Sequence, residues 1–346
     1  MKVMSLFTAL LGVLSCASGT PVTNLEMDGF EAKAGDPAVF LVDVRTPEEY
    51  AEGPLRGAAN IDWNAPEFMD LFTAACPKET PVAVYCRTGR RSAEAAKKLS
   101  KAGYAVTNLL GGIEAWEAAG KPVTKYEVET FFTDSGAPVR ITLIKHGSLE
   151  IACKGLSIQI DPVSGLGKPT DYAAEFPKAD VVLVTHEHGD HFDRTALEAL
   201  DANADNLVTN ARVGEMLGWG AVMANGDSRD LPAGIRLDAV PAYNYTEGHT
   251  NFHPQGRDNG FILTIDGLRI YVAGDTEDIP EMADIKDIDV AFLPVNQPYT
   301  MTVDQCIHAA QVLQPKVLIP YHFSNTDLSG LPAALPGITV LPRQMQ

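Results

Sequence analysis

The run His186-Glu187-His188-Gly189-Asp190-His191 places four metal-capable side chains, His186, His188, Asp190 and His191, within six residues, directly after the apolar stretch Asp180-Val181-Val182-Leu183-Val184-Thr185. A β-branched apolar run of this length predicts a strand buried on both faces, so the cluster is expected on the loop at its C-terminal end. Loops held by a rigid sheet are where chemistry concentrates. Imidazole nitrogens and carboxylate oxygens suit zinc, iron or manganese, and Gly189 relaxes the turn that aims them. The chain holds eight histidines and three fall in this run, which argues against a loop that merely contains them.

Further candidates lie at the ends of other apolar runs. Ile270 to Val272 lead into Ala273-Gly274-Asp275, and Val317-Leu318-Ile319-Pro320-Tyr321 ends on His322. Between them Glu247 to Pro254 offers two histidines, His249 and His253, which the residues alone do not separate. His146 and Asp161 follow the expected strands Ile141–Lys145 and Leu156–Ile160, and His146 reads as a locally hydrogen-bonded residue rather than a ligand. His308 sits at helical spacing among Val303, Ile307, Ala309 and Val312 and reads as a plain helix residue.

The first third carries a different chemistry. Leu41–Arg45 and Pro81–Tyr85 predict strands, the second running into Cys86-Arg87-Thr88-Gly89-Arg90-Arg91-Ser92 and then an amphipathic helix from Ala93 to Lys101. A cysteine at a strand-to-helix junction, cradled by backbone N–H groups with arginines close by, is set for a stabilised thiolate. This loop position argues against the ordinary fate of a free cysteine, burial as a small hydrophobe.

His-x-His-x-Asp-His after a buried strand resembles the signature of metallo-β-lactamase-fold hydrolases, and the likeness spans nearly everything from Val139 onward. It implies an αββα sandwich binding two divalent ions, zinc expected, with manganese or iron as alternatives. One ion would take His186, His188 and His253, chosen over His249 by the Phe252-His253-Pro254 match. The other would take Asp190, His191 and His322, with Asp275 bridging. An activated water would attack a small ester, lactone, thioester or related substrate, and Asp190 or Asp275 would help to orient it. Asn296-Gln297-Pro298-Tyr299, on the loop after the Asp289–Leu293 run, is a further candidate for binding.

The N-terminal third resembles the rhodanese family. Besides the cysteine loop, the matches are Asp43-Val44-Arg45 with Pro47-Glu48-Glu49-Tyr50, Gly57-Ala58-Ala59-Asn60-Ile61, and Leu110 to Trp116 with Gly120-Lys121-Pro122-Val123; Pro54 stands where the family often has histidine. The resemblance implies an α/β domain, a parallel sheet with flanking helices, in which Cys86 accepts sulfane sulfur as a persulfide while Arg87, Thr88, Gly89, Arg90 and Arg91 form the loop around its anion. The expected partners are a small-molecule substrate and a sulfur donor or acceptor thiol. Persulfide dioxygenases join the same two folds on a single iron, and some rhodanese domains serve only as docking modules; both are alternatives.

The expected organisation is a signal segment over 1–20, a rhodanese-like domain over 22–125, a linker and first edge over 126–137, and the hydrolase domain over 138–346. Lys2 followed by an apolar run too short to span a bilayer predicts export across the inner membrane. Val13-Leu14-Ser15-Cys16 resembles a lipobox, so the product would be periplasmic, or membrane-attached through a lipid on Cys16. With 45 acidic against 27 basic residues the formal charge is −18, which repels polyanions and argues against a nucleic-acid substrate.

Overall fold

The computed structural model describes residues 20–343 and 345. The expected signal segment, including Cys16, lies outside the described residues apart from Thr20. Among the described residues no helix is long and apolar enough to cross a membrane.

Five short strands, β1 (Thr23–Leu25), β2 (Phe40–Asp43), β3 (Ala59–Asn60), β4 (Val82–Tyr85) and β5 (Val106–Leu109), form a sheet in the order β1-β5-β4-β2-β3. Every pairing is parallel, and β2 and β4 are buried at every position. Their apolar sequences are therefore read as two-faced burial rather than alternation. One face packs Phe68, Phe72, Ala95 and Leu99 against Val42 and Val84, and the other packs Phe30, Ile113 and Trp116 against Leu41, Ala83 and Tyr85.

The rest of the chain builds two seven-stranded sheets. The first contains β6 (Glu127–Phe132), β7 (Pro138–Lys145), β8 (Ser148–Cys153), β9 (Leu156–Ile160), β10 (Val181–Val184), β11 (Leu207–Thr209) and β12 (Ala221–Val222) in sequential order. The second contains β13 (Ser228–Leu231), β14 (Ile235–Ala242), β15 (Asp258–Ile265), β16 (Leu268–Val272), β17 (Val290–Pro294), β18 (Val317–Tyr321) and β19 (Thr339–Val340), again sequential. Each sheet starts as an antiparallel meander and finishes with parallel strands. Their inner faces share one core, in which Ile141, Ile151, Ile158 and Leu183 meet Leu237, Phe261, Ile270 and Phe292. The outer faces are covered by helices, with Val182 and Val184 under Ala196 and Leu197 on one side and Ala291 and Leu318 under Ala309 and Ala310 on the other. This is the αββα layering.

The segment expected as a linker is structured. Glu127–Phe132 pairs antiparallel with β7 from Glu127↔Leu143 to Phe132↔Pro138 and supplies the outermost strand of the first sheet. The two domains are further joined by Arg56, whose guanidinium sits 2.7 and 2.8 Å from the two carboxylate oxygens of the buried Glu150. Arg343, near the C-terminus, reaches Glu129 of β6 at 2.6 Å.

Candidate metal centre

Strand register brings the distant site residues to one rim. Val272, Phe292 and Ile319 are aligned across β16, β17 and β18, so Asp275 and His322, each three residues further on, emerge at the same level. On the facing sheet Leu183 of β10 aligns with Ile160 of β9, which sets Asp161 beside Thr185 and the histidine run. The two rims are stitched together where Asn259 N–H donates to Thr185 O at 3.2 Å.

Among the described residues three overlapping groups of metal-capable side chains result, His186 with His188 and His253, Asp190 with His191, His322 and His146, and His186 with His191 and Asp275. Asp275 thus stands between the first two. Its Oδ1 lies 3.2 Å from His191 Nε2, and its Oδ2 lies 3.2 Å from His322 Nε2, 3.4 Å from His253 Nε2 and 3.8 Å from His186 Nε2. The seven residues expected as ligands are thus brought together. His146, read from the sequence as a local hydrogen-bonding residue, joins them: its Nε2 is 3.1 Å from Asp190 Oδ2 and its ring centroid is 3.7 Å from that of His322. The sequence hid this because the hairpin that carries it lies some forty residues before the histidine run.

Behind the donors stands a shell that fixes their direction. Asp161 Oδ2 is 2.7 Å from His191 Nδ1, and Asp161 also accepts from Thr185 N and Thr185 Oγ1 at 2.7 Å each. Thr185 Oγ1 is 2.9 Å from His186 Nδ1. Asp258 Oδ2 is 2.9 Å from His253 Nδ1 and is itself gripped by Arg257, which also reaches Glu187 at 3.2 Å. With Nδ1 occupied, each of these rings turns Nε2 inward, the usual way outer carboxylates set a metal-binding histidine. Asp161 ends an apolar run and is a candidate for that reason, whereas Asp258, Thr185 and Arg257 have no recurrent spacing in the sequence, so pattern alone does not mark them.

The inward atoms fit divalent cations. His186 Nε2, His191 Nε2, His322 Nε2 and Asp275 Oδ1 are buried without a hydrogen-bond partner among the described residues, and stranded buried polar atoms are rare unless something else satisfies them. Several of the separations above resemble the roughly 3.3–3.4 Å between donor atoms on a tetrahedral ion with bonds of about 2.0–2.1 Å. The field points the same way. Burial would raise the Asp275 carboxyl, but His191 and His322 hold it well below the usual carboxylate range. Burial also opposes charge on His322, yet Asp275 and Asp190 push it up to about 9. His186, which has burial and neighbouring rings against it, is held well below its ordinary value. The pocket therefore keeps its carboxylates ionised and collects positive charge.

Other sequence candidates lie outside these groups. His249 is half-buried with Nδ1 3.4 Å from Glu277, and His308 is exposed with Nδ1 2.6 Å from Asp278. The Asn296–Tyr299 loop lies alongside: Asn244 Nδ2 donates to Tyr299 O at 2.7 Å, and the Tyr299 ring meets Phe252 edge-on at 4.9 Å.

In the N-terminal domain Cys86 follows β4 directly, and Gly89 caps the helix Arg90–Lys101 in the left-handed conformation. Contrary to the expectation from its loop, Cys86 is buried, 1% exposed, and packs with Val84, Ala95 and Leu99. The reason is that the second loop closes over it: Ile113 N–H donates to Cys86 O at 2.9 Å, and a side chain on Gly112 would collide with Cys86 O at 2.4 Å. Arg91 lies beside the sulfur and is paired with Glu49 by two 2.7 Å bonds, while Arg87 pairs with Glu114 at 2.8 Å. A cavity of about 390 Å³ opens in front of the loop, lined by Glu49, Asn64, Arg87, Thr88, Arg90 and Arg91.

Fold and site together define a two-sheet sandwich with a histidine- and carboxylate-rich centre on one rim, preceded by a parallel-sheet domain with a cysteine loop. A model of the β-lactamase superfamily domain matches residues 140–322, and a rhodanese-like domain model matches residues 26–119. The chain belongs to the β-lactamase superfamily and carries a rhodanese-like domain ahead of that fold. It is similar to a metal-dependent hydrolase of Bacillus pumilus, with 30% identity over 198 residues covering 54% of this chain and 86% of the relative. Among solved structures, one described as a candidate metal-dependent hydrolase from Parabacteroides distasonis is 51% identical with a TM-score of 0.61, covering 64% of this chain and 100% of its own. A metallo hydrolase from Ignicoccus hospitalis is 26% identical with a TM-score of 0.51, covering 60% of this chain and 95% of its own.

Proposed function

We propose that the chain is a metal-dependent hydrolase with two divalent ions, zinc first among the choices, acting on a small ester, lactone, thioester or related substrate. The observation that carries this is Asp275, a buried carboxylate within 3.8 Å of imidazole nitrogens from both groups of ligands. His186, His188 and His253 would hold one ion, Asp190, His191 and His322 the other, with Asp275 shared. Such ions supply Lewis acidity and lower the pKa of bound water toward roughly 7. The chain's own residues do the rest. Asp161, Thr185 and Asp258 fix the ring tautomers, and the Asp190 carboxylate, 34% exposed at the mouth, is placed to accept a hydrogen bond from the attacking water.

The rhodanese-like domain is proposed to be a sulfurtransferase in which Cys86 accepts sulfane sulfur and hands it to a thiol. What supports this is the rhodanese-like domain over residues 26–119, with Arg91 beside Cys86 and an arginine-lined cavity in front of the loop. Export to the periplasm, with or without a lipid on Cys16, is proposed from the N-terminal sequence, and the charge of −18 favours small molecules over nucleic acid.

The test is metal analysis of the purified protein combined with a panel of lactones, thioesters and phosphodiesters. About two zinc or manganese ions per chain, with hydrolysis lost on chelation and restored on reloading, is the expected result. One iron per chain with oxygen uptake on a glutathione persulfide would overturn it. Cys86→Ser should abolish thiosulfate:cyanide sulfur transfer while leaving hydrolysis intact; unchanged transfer would remove the sulfurtransferase reading.

A further inference from the structure

We propose that His146 is a fourth protein donor to the second cation subsite, alongside Asp190, His191 and His322; this rests on the two-ion reading above. Three independent observations bear on it. The first is distance: His146 Nε2 is 3.1 Å from Asp190 Oδ2, comparable with the 3.4 Å between Asp190 Oδ2 and His322 Nε2 and shorter than the 3.9 Å to His191 Nε2. The four donor atoms all lie within 4.8 Å of one another.

The second is backbone conformation. His146 occupies the two-residue turn between β7 and β8 with φ of +45°. A non-glycine residue is disfavoured there by its Cβ, and such outliers persist where the surroundings enforce them, often at functional sites. Here the enforcement is visible. His146 N–H donates to Met345 O at 2.6 Å and His322 N–H donates to His146 O at 3.2 Å, with His322 itself at φ of +49°. Two left-handed residues are thus locked back to back, and the lock turns the His146 ring over the His322 ring.

The third is the orientation of His322. His186, His191 and His253 each have an oxygen on Nδ1, whereas both ring nitrogens of His322 are buried without a hydrogen-bond partner. The His146 ring, tilted by 41° with its centroid 3.7 Å away, is what stands against it. A residue that held Asp190 only by a hydrogen bond would not need to lie across His322.

The experiment compares full-length wild type with His146→Gln and His146→Ala for zinc and cobalt uptake under chelator competition, and follows the cobalt visible spectrum. Glutamine keeps an N–H for Asp190 but lacks the imidazole donor. The expected result is that both variants retain the first ion, bind the second at least about tenfold more weakly, and lose the spectral contribution of the second cobalt. Two ions bound by His146→Gln with wild-type affinity and spectrum would overturn the inference, leaving His146 as a hydrogen-bond partner. If neither variant folds, NMR of the cadmium-loaded wild type with isotope-labelled histidine decides it: coupling from the second ion to His146 Nε2 supports the assignment, and its absence overturns it. A wild type that takes up no divalent ion would instead sink the two-ion reading.

Discussion

At the scale of single residues the centre depends on groups that never face the substrate. Asp258→Asn would leave His253 with a weaker partner on Nδ1 and Arg257 without its full counter-charge; metal affinity should fall about 10–100-fold, measurable by chelator competition. Gly147 is a second such residue. A Cβ there would lie 2.6 Å from a ring carbon of His191 and 2.9 Å from its Nδ1. Gly147→Ala should therefore displace the ring from Asp161 and reduce metal occupancy by a similar factor, with metal content per chain as the readout. Most of the expected ligands are legible in the sequence because they follow an apolar strand, as Asp275 and His322 do, whereas His253 is told from His249 only by the family likeness. His146 was not, since a histidine after a strand looks the same whether its ring turns to solvent or to a metal, and only the αL turn decides.

Elements, rather than residues, set the stability of the N-terminal domain. Glu49 on the helix Pro47–Ala51 and Arg91 on the helix Arg90–Lys101 tie two helices together beside Cys86. Arg91 holds the Glu49 carboxyl down, from an ordinary 4.5 to about 2, against the opposing effect of burial. A carboxyl lowered in the folded state adds stability that is fully present above its unfolded value and is lost as pH falls from about 4.5 toward 2. Glu49→Gln should thus destabilise this domain at pH 7, by on the order of 1–3 kcal/mol, and the gap from wild type should close progressively below pH 4.5 in denaturant titrations. Strand identities were readable because β4, β10 and β18 are unbroken apolar runs and β2 is one up to Asp43. The burial of Cys86 was not, because it depends on the Gly111–Gly112 loop closing from elsewhere in the chain.

For the whole molecule, the contacts between domains combine an aromatic pair, Phe40 with Phe132 of β6 at 5.3 Å, with a buried ion pair. Glu150 is 2% exposed and depends on Arg56 from the other domain, with Ser157 and Thr142 completing its bonds. Arg56→Ala would leave a buried carboxylate unpaired, a change of about 3 kcal/mol given that Arg56 is itself partly exposed. Calorimetry should then separate the melting of the two domains, and metal chelation should move only the sandwich transition. Strand β6 carries a consequence for anyone who wishes to study the sandwich alone. A fragment beginning at residue 138, the first residue of β7, would leave the backbone edge of β7 bare, an open template for pairing with other chains. Such a fragment should aggregate, one beginning at 126 should stay soluble, and the apparent tether is in truth the selvedge of the cloth.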